Sequence, residues 1–319
     1  MKKIYFAMLI FFGSLFLSSH LQAKTAIIIA NFGTTQPEAV NSINNITSRV
    51  KSAFPDATVR VVFTSNIIRS IWEKRSKDPK PWTDKGISRE ILFTKNLLAT
   101  FGDLKSQGFK EVIVQPTHLF HMEQYHDLMQ YVNAIRSIKT IRDKWKPFHK
   151  IALGRPALGT VGDVFPYQDD LRAAVKTLAD DVALAGEKDA ALVYMGHGNE
   201  LWSTGIYVEL QQLMRETYPD VLTFVGSVEG YPGLENIINR LDHHTPKIEN
   251  ILLKPLMIVA GDHARNDMAG DEEGSWKTEL KKAGYTVEPI LKGLGSNNLF
   301  ADLFVTHIKD AARISGIDL

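Results

Sequence analysis

Two imidazoles and one carboxylate, each placed just behind an apolar run, are the groups in this chain best suited to chemistry. Met195-Gly196-His197-Gly198 follows the run at 189–195 (DAALVYM), and its glycines let the backbone turn tightly and leave the imidazole unobstructed. Ser227-Val228-Glu229-Gly230-Tyr231-Pro232 follows 221–226, and Gly261-Asp262-His263-Ala264-Arg265-Asn266-Asp267 follows 250–259. Taken singly, His197 also reads as a loop histidine that caps a helix, and Glu229 as a helix-capping charge. The third stretch is harder to explain by packing, because ionisable groups crowd directly behind a buried strand. Together His197, Glu229 and His263 suit a divalent transition metal and leave positions open for another ligand. Their spacings, 32 and 34 residues, match no short local motif such as HExxH, so the fold must assemble the site.

The elements that have to do so alternate along the chain. Strands are expected at 25–31, 58–64, 111–115, 150–154, 189–195, 221–226, 250–259 and 285–290, where β-branched and apolar residues run together. Helical apolar spacing is expected at 37–53, 67–74, 88–106, 122–144, 168–185, 201–217, 234–242, 271–283 and 297–314. Strands separated by helices of this length imply an α/β fold with parallel sheets covered on both faces. Proline and glycine around 146–166 mark the best boundary, giving an N-terminal α/β domain at 24–155 and a C-terminal α/β domain at 156–319 that carries the metal site.

Composition narrows the function classes. The chain has 319 residues, 44% hydrophobic and 23% charged, which is ordinary globular content and long enough for two domains. Lys and Arg number 37 against 36 Asp and Glu, so there is no electrostatic footprint for a nucleic-acid partner. Cysteine is absent, which removes disulfides, thiolate metal sites and cysteine nucleophiles. No G-x-S-x-G elbow and no G-x-x-x-x-G-K-[ST] loop is present, which argues against a hydrolase and against a nucleotide cofactor.

The first residues read as a secretory signal peptide, 1–23. Lys2 and Lys3 precede an apolar run from Ile4 to Leu17, then a polar stretch leads to Ala23. Fourteen apolar residues are too few to span a bilayer comfortably, so no stable membrane anchor is expected after cleavage. A soluble periplasmic protein follows, and export agrees with the missing cysteines.

The two halves resemble each other. Ala26-Ile27-Ile28-Ile29-Ala30-Asn31-Phe32-Gly33 aligns with Ala191-Leu192-Val193-Tyr194-Met195-Gly196-His197-Gly198. Ile113-Val114-Gln115-Pro116, with His126-Asp127 beyond it, mirrors Leu252-Leu253-Lys254-Pro255 with His263 and Asp267. Ligands of open parallel sheets sit outside the carboxyl ends of the strands, so a duplicated fold would direct both sets into one cleft.

Val61-Val62-Phe63-Thr64-Ser65, Val114-Gln115-Pro116-Thr117-His118, Met195-Gly196-His197-Gly198, Val228-Glu229-Gly230-Tyr231-Pro232 and Ala260-Gly261-Asp262-His263-Ala264 carry a resemblance to a known family. The chain resembles the class II chelatases, specifically the anaerobic cobalt chelatases that act on sirohydrochlorin, from Ile27 to the last helix. The resemblance implies two similar α/β halves around a tetrapyrrole cleft, with His197, Glu229 and His263 as metal ligands and catalytic groups. It also implies insertion of Co(II) into the macrocycle, with release of two protons, as in cobalamin biosynthesis. Neutral imidazole accepts a proton or binds metal near pH 7, so His197 is the first choice for ligand and proton acceptor. Glu229 would offset cation charge in a poorly solvated cleft. A His/His/carboxylate site also accepts iron or nickel.

The remaining expectations concern the macrocycle. Apolar walls are expected from Phe32, Leu119, Phe120 and Met195, with His118 approaching the cleft behind Pro116. Arg265, Lys254 and Arg69 are candidate donors for its carboxylates, as are the backbone amides at Gly33-Thr34-Thr35, read as leading into a helix. His118, His121 and His126, with Glu123 and Asp127, read either as wall and surface groups or as haem ligands or a second metal site. Asp271, Glu272 and Glu273 suit the start of a helix or a path for metal entry. Asn45-Ile46-Thr47 matches a glycosylation acceptor. A binding protein that carries haem, another tetrapyrrole or metal without turnover is the second reading, and a homo-oligomer is compatible with either.

Overall fold

Runs of β-branched residues without polar alternation form strands buried on both faces, and each pair of them is joined by helices. The computed structural model describes residues 24–162 and 164–319; the signal peptide expected at 1–23 lies outside the described residues. In the first half the strands are β1 (Thr25–Asn31), β2 (Thr58–Phe63), β3 (Glu111–Pro116) and β4 (Lys150–Leu153). Its helices are α1 (Val40–Ala53), α2 (Asn66–Arg75), α3 (Lys80–Thr83), α4 (Arg89–Leu92), α5 (Leu97–Ser106) and α6 (Glu123–Ser137). After the connection come α7 (Tyr167–Thr177) and α8 (Ala179–Glu187), then β5 (Ala190–Gly198) and α9 (Gly205–Thr217). Next are β6 (Thr223–Glu229), α10 (Leu234–Asp242), β7 (Asn250–Leu256), α11 (Trp276–Lys282), β8 (Thr286–Pro289) and α12 (Asn298–Ser315).

Several expected helices are shorter than their apolar spacing suggests, for local reasons. The stretch at 88–106 divides into α4 and α5 because Lys95 bridges to Val62 of β2 and Asn96 starts a new helix, its Oδ1 accepting from Ala99 N–H at 2.8 Å. The helix expected at 122–144 stops at Ser137, where Ile138 turns extended; Ile141 beyond it is fully exposed, so continuing would bury nothing. The stretch at 271–283 is helical only from Trp276, after the Ser275 cap, and Asp271 and Glu273 pair with Lys277 and Lys282. Asn45 lies inside α1 and donates to the Gly295 carbonyl at 2.9 Å, so it is a packing contact.

Two parallel four-stranded sheets result, β2-β1-β3-β4 and β6-β5-β7-β8. The same order twice makes the halves structural equivalents, and the register aligns them residue by residue. Ala30 lies opposite Val62 and Pro116, and Met195 lies opposite Gly226 and Pro255. Counting on from these pairs, Phe32 occupies the place of His197, and Ser65 that of Glu229.

The halves share a core. Ile27, Ile29 and Ile113 of the first sheet and Leu192, Tyr194 and Leu252 of the second belong to one apolar cluster with Phe300, Phe304 and Ile308 of α12. Although last in the chain, α12 packs on α1, β3 and β4 of the first half and on α7. A buried charge cluster pins it there. Arg155 donates from Nε and Nη2 to Asp170 of α7 at 2.6 and 2.9 Å, and Nη1 lies 2.9 Å from Asp310 of α12. His307 of α12 faces the Arg155 carbonyl at 3.1 Å and Asp170 at 3.2 Å.

Burial alone would raise the Asp170 pKa, but hydrogen bonds and charge from His307 and Arg155 outweigh it and hold the carboxyl below its usual range. The stability it contributes is therefore complete above the unfolded carboxyl value of about pH 4 and is lost as pH falls through the lower folded value. Asp170→Asn should leave Arg155 under-compensated and lower the unfolding free energy by about 3–5 kcal/mol. Urea denaturation of both proteins at neutral pH checks the loss, which should shrink on acidification.

Candidate metal centre and substrate cleft

In each sheet the chain turns to opposite sides after its first strand, so a crevice opens at the carboxyl ends beside β1 and β5. The two crevices face one another through four sets of contacts. Asp262 accepts from Thr35 Oγ1 at 2.8 Å and from Gln36 Nε2 at 2.5 Å. Arg265 pairs with Glu38 at 3.1 Å, and Asn199 reaches Glu123 at 3.4 Å. Trp202, four residues beyond Gly198, stacks on His121 with ring centroids 5.5 Å apart and lies tilted against His126 at 5.3 Å.

His197 and Glu229 lie within strands rather than in the loops after them, because β5 and β6 run on through the expected turns. Gly198 pairs with Glu229, and its conformation (φ +79°) would bring any Cβ to 1.7 Å from the Glu229 carbonyl. Only glycine allows this approach, which is what sets the two side chains side by side. Tyr207 of α9 covers the turn. Its ring lies over Gly196, and its hydroxyl accepts from the Gly198 N–H at 3.2 Å. Burial pushes that phenol up to about 12, so it stays neutral.

The His197 and His263 rings meet edge to face with centroids 4.7 Å apart, and Glu229 Oε2 lies 3.7 Å from His197 Nδ1. His197 Nδ1 faces the Gly198 carbonyl at 3.1 Å, and a carbonyl only accepts, so this nitrogen carries the proton and Nε2 keeps its lone pair. His263 precedes a single π-turn, Ala264–Met268, which brings Asp267 to 2.5 Å from its Nδ1. That carboxylate accepts from Nδ1–H and so fixes the same tautomer and the orientation of the ring. All three groups, His197, Glu229 and His263, are roughly 40% exposed and so reachable from the cleft. Among the described residues no three His, Asp or Glu side chains are gathered closely enough to hold a metal ion between them.

The wall residues distribute differently from expectation. Met195 is fully buried between β5 and helices α10 and α11, because it points into the second-half core. Phe120 meets Tyr167 edge-on at 5.9 Å and packs with Leu119 against the shared core. His118 is buried beneath its loop, and desolvation lowers its pKa to about 4, so it is a neutral core histidine 3.5 Å from Thr64 Oγ1. Phe32, by contrast, is 41% exposed at the tip of β1.

The expected carboxylate donors also sort themselves. Lys254 is buried and held by Asp181, which also accepts from Tyr194 at 2.7 Å, so it does not face the cleft. Arg265 is engaged by Glu38. Gly33 and Thr34 are buried and shape their loop: Thr34 Oγ1 accepts from Gln36 N–H at 3.1 Å, and its carbonyl from Trp72 Nε1 at 2.8 Å. Helix α1 begins only at Val40, so no helix end serves Gly33, and the carboxylate this loop holds is Asp262. Arg69 alone of the three cations has no carboxylate partner among the described residues. His121 precedes α6 instead of sharing it with His126, which is how their rings stack at 6.1 Å.

Tyr207 and the bridging role of Asp262 had no sequence signal. The partnership of Asp267 with His263 had one in their i, i+4 spacing.

The sequence matches the profile of the family described as cobalt chelatase (CbiK) over residues 25–313. It is 28% identical over 294 residues to the sirohydrochlorin cobaltochelatase of Salmonella typhimurium, covering 92% of this chain and 98% of that one. It is 30% identical over 296 residues to the sirohydrochlorin cobaltochelatase CbiKC of Nitratidesulfovibrio vulgaris, covering 92% of each. Among solved structures, SirB from Bacillus subtilis with Fe3+ shares the fold at a TM-score of 0.60 and 14% identity, over 92% of this chain and all of that one. The twofold α/β architecture, the facing crevices and these matches agree: the chain belongs to the cobalt chelatase (CbiK) family.

Proposed function

We propose that the protein is a sirohydrochlorin cobaltochelatase working in the periplasm, with His197, Glu229 and His263 as its metal-handling groups. The observation that carries this reading is the meeting of His197 with both Glu229 and His263 at the mouth of the second crevice, opposite the first. The names of the two relatives support the substrate, and the leader-like residues 1–23 support the location.

Insertion exchanges one divalent ion for two pyrrole N–H protons. The ion is a substrate: it has to be held firmly enough to be presented and loosely enough to leave. An open, half-exposed donor set fits that requirement better than a closed cage. The Nε2 lone pairs of His197 and His263 are the acceptors for metal, and His197 Nε2 takes a pyrrole proton as its ion departs. Asp267 orients His263, and Tyr207 with Gly198 orients His197. Glu229 offsets the charge of the ion while it waits in the cleft. Cobalt is the assigned metal; iron and nickel suit the same donors.

His197→Ala, Glu229→Ala and His263→Ala should each abolish insertion and weaken Co(II) binding, with unchanged circular dichroism. The assay is the absorbance change of sirohydrochlorin with Co(II) under anaerobic conditions, using the protein from Lys24 onward. Unaltered turnover in all three variants would remove the assignment. Tight tetrapyrrole binding by the wild type without any rate enhancement would replace the enzyme with a carrier.

Asp267→Asn tests the second layer. The amide keeps the shape but not the charge, so Co(II) affinity should fall about 10–100-fold while the fold is retained. Calorimetric titration with Co(II) measures it.

A further inference from the structure

The first half keeps the corner that holds the metal-handling groups in the second, but fills it with different chemistry. Phe32 stands where His197 stands and Ser65 where Glu229 stands, and both line a cavity of about 390 Å³. Leu97, Leu98 and Leu128 give it an apolar side, and Gln124, Asp127 and Tyr131 of α6 close another. At its polar end is Arg69. One amino group of this guanidinium donates to the Phe63 and Thr64 carbonyls at 2.6 and 3.0 Å, and the other to Asn66. Nε–H and one further hydrogen are left uncommitted. Asp127, the acid in the lining, forms no ion pair with it. A half-buried arginine with free donors and no counter-charge is a receptor for an anion, and its planar fork suits a carboxylate.

Resting on the reading of this protein as a tetrapyrrole chelatase, we infer that the Arg69 cavity binds a peripheral carboxylate arm of the macrocycle and selects for acid-rich tetrapyrroles. Its volume is at the low end for ligand sites, too small for a whole macrocycle but adequate for one arm with its pyrrole edge. Phe32 supplies a flat apolar contact at the mouth and leads directly into the Thr35–Gln36 loop that touches Asp262 beside His263. One wall of the cavity is thus continuous with the loop that touches Asp262. A macrocycle anchored there by an acid arm would extend across the cleft to the histidines.

The test compares Arg69→Gln and Arg69→Lys with wild type. Glutamine retains an amide donor for the Phe63 and Thr64 carbonyls but no charge. Binding of an octacarboxylate porphyrin and a dicarboxylate porphyrin is followed by quenching of tryptophan fluorescence, with Co(II) affinity and the thermal midpoint measured alongside. Arg69→Gln should weaken the octacarboxylate about 10–100-fold, as expected for a lost charge-assisted pair, and flatten its salt dependence. The dicarboxylate and Co(II) affinities should barely change, and Arg69→Lys should recover part of the loss. Wild-type affinity for the octacarboxylate in Arg69→Gln overturns this assignment and leaves the chelatase reading standing. An equal loss for both porphyrins with a collapsed thermal midpoint also overturns it, since Arg69 would then only support the fold. Conversely, Arg69-dependent binding without metal insertion by the wild type retains the cavity and refutes the enzyme.

Discussion

The cleft depends on two sheets being held with their carboxyl ends opposed, and the buried cation Arg155 is the interaction that holds them. It sits at the junction of the halves and reaches Asp170 on α7 and Asp310 on α12, while His307 closes the remaining side. Burial disfavours the Arg155 charge, yet the two carboxylates outweigh that cost and its pKa rises. An ion cluster of this kind adds little net stability compared with apolar packing, but it admits one arrangement of three separate segments. That specificity matters here. His197 and His263 face the first half only if α12 and α7 lie where Arg155 places them.

From that frame the chemistry follows with few additions. Gly198 lets two strands approach closely, Tyr207 holds the turn, and Asp267 orients the second imidazole. The first half shows the same scaffold without the imidazole and carboxylate of His197 and Glu229. The two sheets present equivalent corners: a ring and a hydroxyl at Phe32 and Ser65 stand where an imidazole and a carboxylate stand at His197 and Glu229. One corner suits an ion and the other an organic surface, which is the division of labour expected of a site that joins the two.

Much of this architecture is legible in the sequence. Continuous apolar runs located all eight strands, and the alignment of Ala26–Gly33 with Ala191–Gly198 is the one the strand register reproduces. The approach of His197 to Glu229 and His263 was legible because each follows a buried run. What escaped was set by tertiary contacts. Met195 and His118 sit behind strand ends as wall residues would, but strand alternation turns Met195 into the core and a loop closes over His118. Lys254 looked like a free cation until α8 brought Asp181 to it. Helix ends at Ser137 and Asn96 were set by where burial stops and by a bridge to β2, neither of which local spacing encodes.

The position of α12 also governs the order in which the molecule can form. Arg49 pairs with Asp302 and Asn45 with Gly295, contacts that span 253 and 250 residues. Until the end of the chain is free, Ile27, Ile29 and Ile113 have Ile46 and Val50 of α1 beside them but lack the cover of Phe300, Phe304 and Ile308. The first sheet is thus committed late, after nearly the whole polypeptide has been made. Such long-range closure slows folding and leaves apolar strands uncovered in the interim.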